Sequence, residues 1–295
     1  IPGLYDASKT NWQAYWGGDL AGIQAKLAYI KGMGATAIWI SPPVDNINQP
    51  MMGPNGKPVS YLFAPYHGYI NRDFMRIEEH FGDTHNTWKA FDSLIAAAHE
   101  QHIKVIVDFS PNDSNLTYTA AHGALFDNGK LLGTYAHDTK GLFHHNGPLT
   151  DWNNIYQLQY YNVFRLADLN EDNSQIDRYI KKSIHQFQDH GVDAFRLDAA
   201  KHITWGWAYS LANSVYSYKP SFIFADWFIL GTQDKLYSET YKYANQSGMY
   251  VLDYPLAMAI RDVFANNKYF SEIENTLNTE DRDFKSPNDL VDRKS

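Results

Sequence analysis

The sequence predicts an α/β fold of parallel βαβ units, and three observations carry that prediction. Short apolar runs bounded by turn residues recur along the chain, stretches with apolar residues at helical spacing alternate with them, and several of the runs end in acidic side chains. At 295 residues and 44% hydrophobic the chain can bury a large core, so one α/β barrel or two smaller domains would both fit.

Each element has its own justification. Asp19 can cap a helix whose apolar positions Leu20, Ile23, Leu27 and Ile30 fall on one face, with Gly32 and Gly34 stopping it. Residues 35–41, ATAIWIS, read as a buried strand. Trp88, Phe91, Leu94 and Ile95 mark a second helix, followed by the strand KVIVDF at 104–109. Ser174 starts a third helix, with Ile176, Tyr179, Ile180, Ile184 and Phe187 on one face, and it feeds the stretch DAFRLDAAKH at 193–202. SFIFADWF (221–228) and MYVLDY (249–254) follow as further strands. Residues 110–172 break the alternation: they are rich in Asn, Asp, Gly, His and aromatics and are too long for an ordinary βα loop. A small excursion domain is expected there.

Composition narrows the partners. A net charge of −8 argues against nucleic acid, which rewards basic surfaces. No apolar run reaches membrane-spanning length and no signal peptide is read at the start. The absence of cysteine excludes disulfides and thiolate metal sites.

The strand ends carry the chemistry. KVIVDF ends in Asp108 and leads into Pro111-Asn112-Asp113; the next strand ends in Asp198, the next in Asp226-Trp227, and MYVLDY ends in Asp253. Carboxyl ends of parallel strands converge on one face. Two carboxyls about 5–5.5 Å apart suit a retaining glycosidase, one attacking the anomeric carbon and one protonating the leaving oxygen. Arg196, two residues before Asp198, points to the same strand face and can keep it ionised. The bland alternative is that these residues form ordinary ion pairs or cap the following helices. Trp152, Trp205 and Trp207 are expected in loops, where flat rings can stack on sugars.

These motifs resemble the α-amylase superfamily of glycoside hydrolases. GVDAFRLDAAKH is similar to its strand-four signature, VIVDFSPNDSN to its strand-three signature and FIFADWF to its strand-five signature. YWGGDLAGI, APYHGYINRDF, LFHHNG, LADLN and YANQSGMYVLDY resemble the cyclodextrin glucanotransferase and maltogenic amylase branch. The resemblance runs almost end to end. It implies a (β/α)8 TIM-type barrel in which strands two to six are recognisable, with strands one, seven and eight absent from the sequence. The implied division is barrel at 1–109, an inserted B domain at 110–172, and barrel again at 173–295.

By the same resemblance, Asp198 is the nucleophile, Arg196 its neighbour and Asp226 the general acid. Tyr69 is the aromatic that stacks on the sugar at the cleavage position, with His67 as its polar companion. Lys201 and His202 are acceptor-side contacts, and Trp152 and Trp205 an acceptor-side aromatic pair. Phe164 takes the central position that guides a glucan chain in cyclising members. Asn112 and Asp168, with the backbone carbonyl of His202, match the ligands of a Ca²⁺ ion, which takes oxygen donors. The implied partner is an α-glucan or malto-oligosaccharide, met outside the cell by a secreted monomer with no nucleic-acid or membrane partner.

Three departures set further expectations. Asp113 replaces the sugar-binding His of the family pattern, and Asp226 replaces its Glu, one methylene shorter. The family's third catalytic carboxylate, in an Asn-His-Asp motif, has no counterpart in the sequence. The expected activity is α-1,4-glucan cleavage with retention and glycosyl transfer, weak or absent in this chain as written. The alternative is a catalytically impaired α-glucan-binding relative, or a fragment of such an enzyme.

Overall fold

The computed structural model describes residues 5–12, 14–48, 64–82, 85, 87–117, 122–286 and 289–291. The chain forms two compact units, Ile1–Leu149 with Tyr160–Phe195, and Thr150–Gln159 with Arg196–Ser295.

In the first unit, Asp19 caps α1 (Leu20–Gln24) by accepting from the Gly22 amide. The expected single helix is interrupted: the Lys26 amide bonds the Ile23 carbonyl, a tighter three-residue turn, before α2 (Leu27–Gly32) resumes. Strand β1 (Ala37–Ile40) is followed by β2 (Val44–Asn46) and β3 (Asn71–Ile77), an antiparallel pair. Helix α3 (Lys89–Glu100) buries Phe91, Leu94, Ile95 and Ala98 and leads into β4 (Lys104–Phe109), which pairs in parallel with β1. The first residues of β9 (Ala194–Leu197) follow β4 in the sheet, so βαβ order holds where the helical and strand periods predicted it.

The excursion is built from short strands. β5 (Asp113–Leu116) lies antiparallel to β8 (Leu166–Asp168), with Asp113 opposite Asp168. β6 (Leu125–Asp127) and β7 (Lys130–Gly133) form a hairpin through Asn128-Gly129, whose φ values of 51° and 81° fit the tight turn that pairs with strand twist. Helix α4 (Ile155–Tyr160) falls mainly in the second unit. Helix α5 (Ser174–Asp189) buries Ile176, Tyr179, Ile180, Ile184 and Phe187, the predicted face. The Tyr179 hydroxyl accepts from the Phe74 amide at 2.8 Å and donates to the Phe126 carbonyl at 2.6 Å, locking helix to strands.

In the second unit, the end of β9 is followed by a short 3-10 turn at Ala200–His202, then α6 (Trp205–Tyr218) and β10 (Phe222–Ala225). Helix α7 (Tyr237–Ser247) precedes β11 (Tyr250–Val251), which pairs in parallel with β10. Helices α8 (Tyr254–Asn266) and α9 (Ser271–Asp283) complete the unit. Two expectations need correction. Trp205 and Trp207 stand in the first turn of α6, because Thr204 caps that helix, and Trp207 is buried. Asp253 caps α8 by accepting from the Leu256 amide at 3.0 Å, and MYVLDY is a strand only at Tyr250 and Val251. No helix among the described residues is long and apolar enough to cross a membrane.

Asp193 ties the start of β9 to β4. Its carboxylate accepts from the Val105 amide at 2.8 Å, from the His99 ring at 2.9 Å and from Lys104 at 3.3 Å. Burial pushes its pKa up, but the Val105 amide, His99 and Lys104 outweigh that and hold it below the usual carboxylate value. With the folded pKa below the unfolded one, the stabilisation is complete above about pH 4 and is lost as pH falls through the folded value. Asp193→Ala should therefore cost about 1–3 kcal/mol at pH 7 in urea unfolding, with the gap from wild type narrowing towards pH 3.

Candidate active site

Backbone bonds in the second unit bring two strand ends into register. The Asp226 amide donates to the Leu197 carbonyl at 2.8 Å, and the Ala200 amide donates to the Asp226 carbonyl at 3.0 Å. Asp198 and Asp226 are thereby fixed just past β9 and β10. Between them Ala199 adopts a left-handed backbone (φ 52°), unusual for a residue with a Cβ and costly unless its surroundings enforce it. Arg196 then links both side chains. Its Nη1 donates to Asp198 Oδ1 at 2.5 Å and its Nη2 pairs with Asp226 Oδ2. The Tyr254 hydroxyl donates to Asp226 Oδ1 at 2.6 Å, so both oxygens of Asp226 already accept a hydrogen bond. Burial and the Asp226 carboxylate push the Tyr254 phenol upward, keeping it a donor.

Lys201 and His202 occupy the turn beyond. The Lys201 ammonium donates to the Phe228 carbonyl at 3.1 Å and lies 5.6 Å from that residue's ring centroid, and burial lowers its pKa. His202 is buried; its Nδ1 donates to the Leu158 carbonyl at 3.0 Å, and burial holds the ring neutral with a pKa of about 4. Trp152, 43% exposed, meets the His202 ring edge-on at 6.1 Å. Trp205 is only half-buried but packs against Trp227 and Tyr243.

Within the first unit a separate cluster surrounds Asp108, buried at the end of β4. Its Oδ2 accepts from the Tyr69 hydroxyl at 2.8 Å and from the Trp39 indole at 3.1 Å. The His67 ring stacks on Tyr69 with centroids 5.6 Å apart, and its Nδ1 accepts from the Tyr69 amide; burial lowers its pKa. Gly68 makes this hairpin of rings possible. Its φ is 89°, and a Cβ there would lie 2.4 Å from the Pro42 carbonyl oxygen. Phe164, also in the first unit, is 74% exposed with φ 49°.

Asn112, Asp113 and Asp168 come together where β5 meets β8. The Asn112 amide donates to Asp113 Oδ2 at 2.7 Å, and Asp168 Oδ2 accepts from His144 Nδ1 at 2.7 Å. All three are at least nine-tenths buried. Asp168 Oδ1 meets no donor among the described residues. Glu171 is buried as well: burial drives its pKa up, with the Asp168 charge adding to it, and burial does the same to Asp168. His202, whose carbonyl was the third expected metal ligand, belongs to the second unit.

Three residues of these clusters escaped the sequence reading. Tyr254 was readable from Asp253-Tyr254-Pro255, a capping Asp with Pro in the first turn, which announces a helix rather than a strand. Trp39 sits inside an apolar run, where nothing marks an indole as a partner of Asp108. Glu171 lies in a polar stretch that reads as exposed.

The alpha-amylase catalytic-domain model matches residues 4–222. A cyclomaltodextrin glucanotransferase of Thermoanaerobacterium thermosulfurigenes is 42% identical over 98% of this chain and 40% of its own length. An alpha-amylase of Niallia circulans is 42% identical over 97% of this chain and 54% of its own. Among solved structures, CldA, described as a cyclomaltodextrin glucanotransferase with a three-domain ABC distribution, superposes with a TM-score of 0.91 at 48% identity, over 97% of this chain and 57% of that one. The chain thus spans about half the length of the relatives it matches. It belongs to the alpha-amylase family, and its parallel βα units are those of that family's TIM-barrel catalytic domain.

Proposed function

We propose that this chain carries the reaction centre of an α-glucan-active enzyme, which cleaves α-1,4 bonds with retention and passes the glycosyl unit to water or to another sugar. The observation that supports it is Arg196 holding Asp198 and Asp226 together at the ends of β9 and β10. Asp198 attacks the anomeric carbon as the glycosidic bond breaks, and Asp226 gives its proton to the departing oxygen. Asp226 then takes a proton from water or an acceptor hydroxyl, which displaces Asp198. Because both Asp226 oxygens accept hydrogen bonds, protonating a leaving group requires Arg196 or Tyr254 to release one of them. The missing methylene adds to that demand, since ~1 Å of misplacement can cost on the order of 10²-fold.

The remaining roles follow from the family resemblance. Tyr69 and His67 contact the sugar at the cleavage position, Lys201, His202, Trp152 and Trp205 the acceptor side, and Asp113 a hydroxyl of the donor sugar. Phe164 carries the glucan chain, a role its 74% exposure is compatible with. Residues 110–172 serve as the inserted B domain, and the protein works outside the cell on starch or maltodextrin. Asn112 and Asp168 would hold Ca²⁺: an amide and a carboxylate are the oxygen donors it takes, and Asp168 Oδ1 is a buried acceptor that meets no donor among the described residues. Bound there, the ion supplies positive charge and rigidity, with no part in bond cleavage.

A second reading, an α-glucan binder without turnover, is favoured by the double engagement of the shortened acid, Asp226. A fluorinated maltosyl donor separates the two. Mass spectrometry should find one glycosyl unit on the peptide containing Asp198, absent from Asp198→Asn. If malto-oligosaccharides bind while neither wild type nor Asp226→Glu is labelled, the binder reading replaces this one.

Two variants give further expected outcomes. Asp226→Glu should raise maltoheptaose turnover by about 10-fold or more, read from reducing-end release. Phe164→Gly should shift products from transfer towards hydrolysis. Its unfolding free energy should move by less than about 1 kcal/mol, because the ring is exposed and glycine accepts the positive φ. A loss of about 3–5 kcal/mol would mark Phe164 as a core residue instead.

A further inference from the structure

When Asp226 is protonated, its proton faces a tyrosine. Arg196 Nη2 pairs with Oδ2, and a guanidinium only donates, so it favours negative charge on that oxygen and leaves the proton to Oδ1. Oδ1 lies 2.6 Å from the Tyr254 hydroxyl. With Asp226 ionised the phenol donates; with Asp226 protonated the carboxyl donates across the same contact, and the phenol proton turns elsewhere. The chain holds Tyr254 firmly for this. It is the first residue of α8, its amide donates to the Leu252 carbonyl at 2.9 Å, and Asp253 beside it caps the helix. The half-buried Tyr254 ring meets the Phe228 ring edge-on at 5.0 Å. Phe228 in turn holds Lys201, whose ammonium bonds its carbonyl and lies 5.6 Å from its ring centroid. Tyr254 thus borders a residue assigned to the acceptor side, where the departing oxygen belongs.

We infer that Tyr254 is a catalytic proton relay, passing the proton of Asp226 to the departing glycosidic oxygen. Asp226 gives its proton to the Tyr254 oxygen as the Tyr254 hydroxyl proton moves to the leaving oxygen. The bond from the anomeric carbon to that oxygen breaks while the bond to Asp198 forms, leaving Asp226 ionised and Tyr254 neutral. In the second half, water or an acceptor hydroxyl gives its proton to Tyr254, whose own returns to Asp226, and the acceptor oxygen displaces Asp198. Direct protonation would need Asp226 to let go of a partner; the relay does not, and it extends the reach of the shortened acid. The inference rests on the reaction-centre reading above and deepens it.

The test compares maltoheptaose turnover with single-turnover fluoride release from α-maltosyl fluoride, whose leaving ion departs without a proton. Tyr254→Phe should lose on the order of 10²-fold in kcat on maltoheptaose and keep its fluoride release within about 2-fold of wild type. Adding Asp226→Glu to Tyr254→Phe, which lengthens the acid, should restore about 10-fold or more of that loss. In mixtures of H2O and D2O, wild-type turnover of maltoheptaose should fall along a curve rather than a line, because two protons move together; this measurement needs no variant to fold. A Tyr254→Phe protein as fast as wild type on maltoheptaose, or a linear isotope dependence, would overturn the relay and leave Asp226 as the direct acid. Wild type that releases fluoride but does not turn over maltoheptaose would also overturn it, with Asp198 still the nucleophile. If wild type consumes neither substrate, the reaction-centre reading falls and this inference with it.

Discussion

The guanidinium of Arg196 is the constraint on which the second unit's chemistry depends. It is 7% exposed and meets carboxylates from two successive strand ends, Asp198 at 2.5 Å and Asp226. Two carboxylates brought this close would repel each other, and burial would raise the cost. A planar fork with fixed donors satisfies both at once, which a lysine's single ammonium does not do with the same geometry. The backbone cooperates, because the bonds between Asp226 and Leu197 and between Ala200 and Asp226 set the distance that the arginine spans. The left-handed Ala199 is the local cost of turning the chain there.

Charge is handled differently in the two units. In the second, Asp198 and Asp226 share the Arg196 guanidinium, Asp226 also accepts from the Tyr254 hydroxyl, and burial keeps the His202 ring neutral. In the first, Asp108 is satisfied by neutral donors, the hydroxyl of Tyr69 and the indole of Trp39. Asp168 is held on one oxygen by the His144 ring, while its other oxygen and Glu171 Oε1 meet no donor among the described residues. The same residue type thus takes separate roles according to what packs around it.

Much of this architecture was legible in the sequence because its elements are strongly periodic. The face of α5, the strand Lys104–Phe109 and the acidic strand ends could each be read from spacing alone. Boundaries were harder. Tyr254 looks like the end of a strand until the capping Asp253 is weighed against the β-rich MYVLDY, and Trp205 and Trp207 look like loop aromatics until Thr204 is recognised as a cap. Reach was harder still. Period two places Arg196 and Asp198 on one face, but nothing in the spacing tells that the same guanidinium extends to Asp226, 30 residues on. The burial of Glu171 is a tertiary fact without any local signal.

The most direct test of the arginine clamp is equilibrium urea unfolding of Arg196→Ala beside wild type at pH 7. Removing the buried guanidinium leaves the half-buried carboxylates of Asp198 and Asp226 without their shared cation, and the account predicts a loss of about 3–5 kcal/mol. An Arg196→Ala protein within about 1 kcal/mol of wild type would contradict it, because the two carboxylates would then need no shared partner.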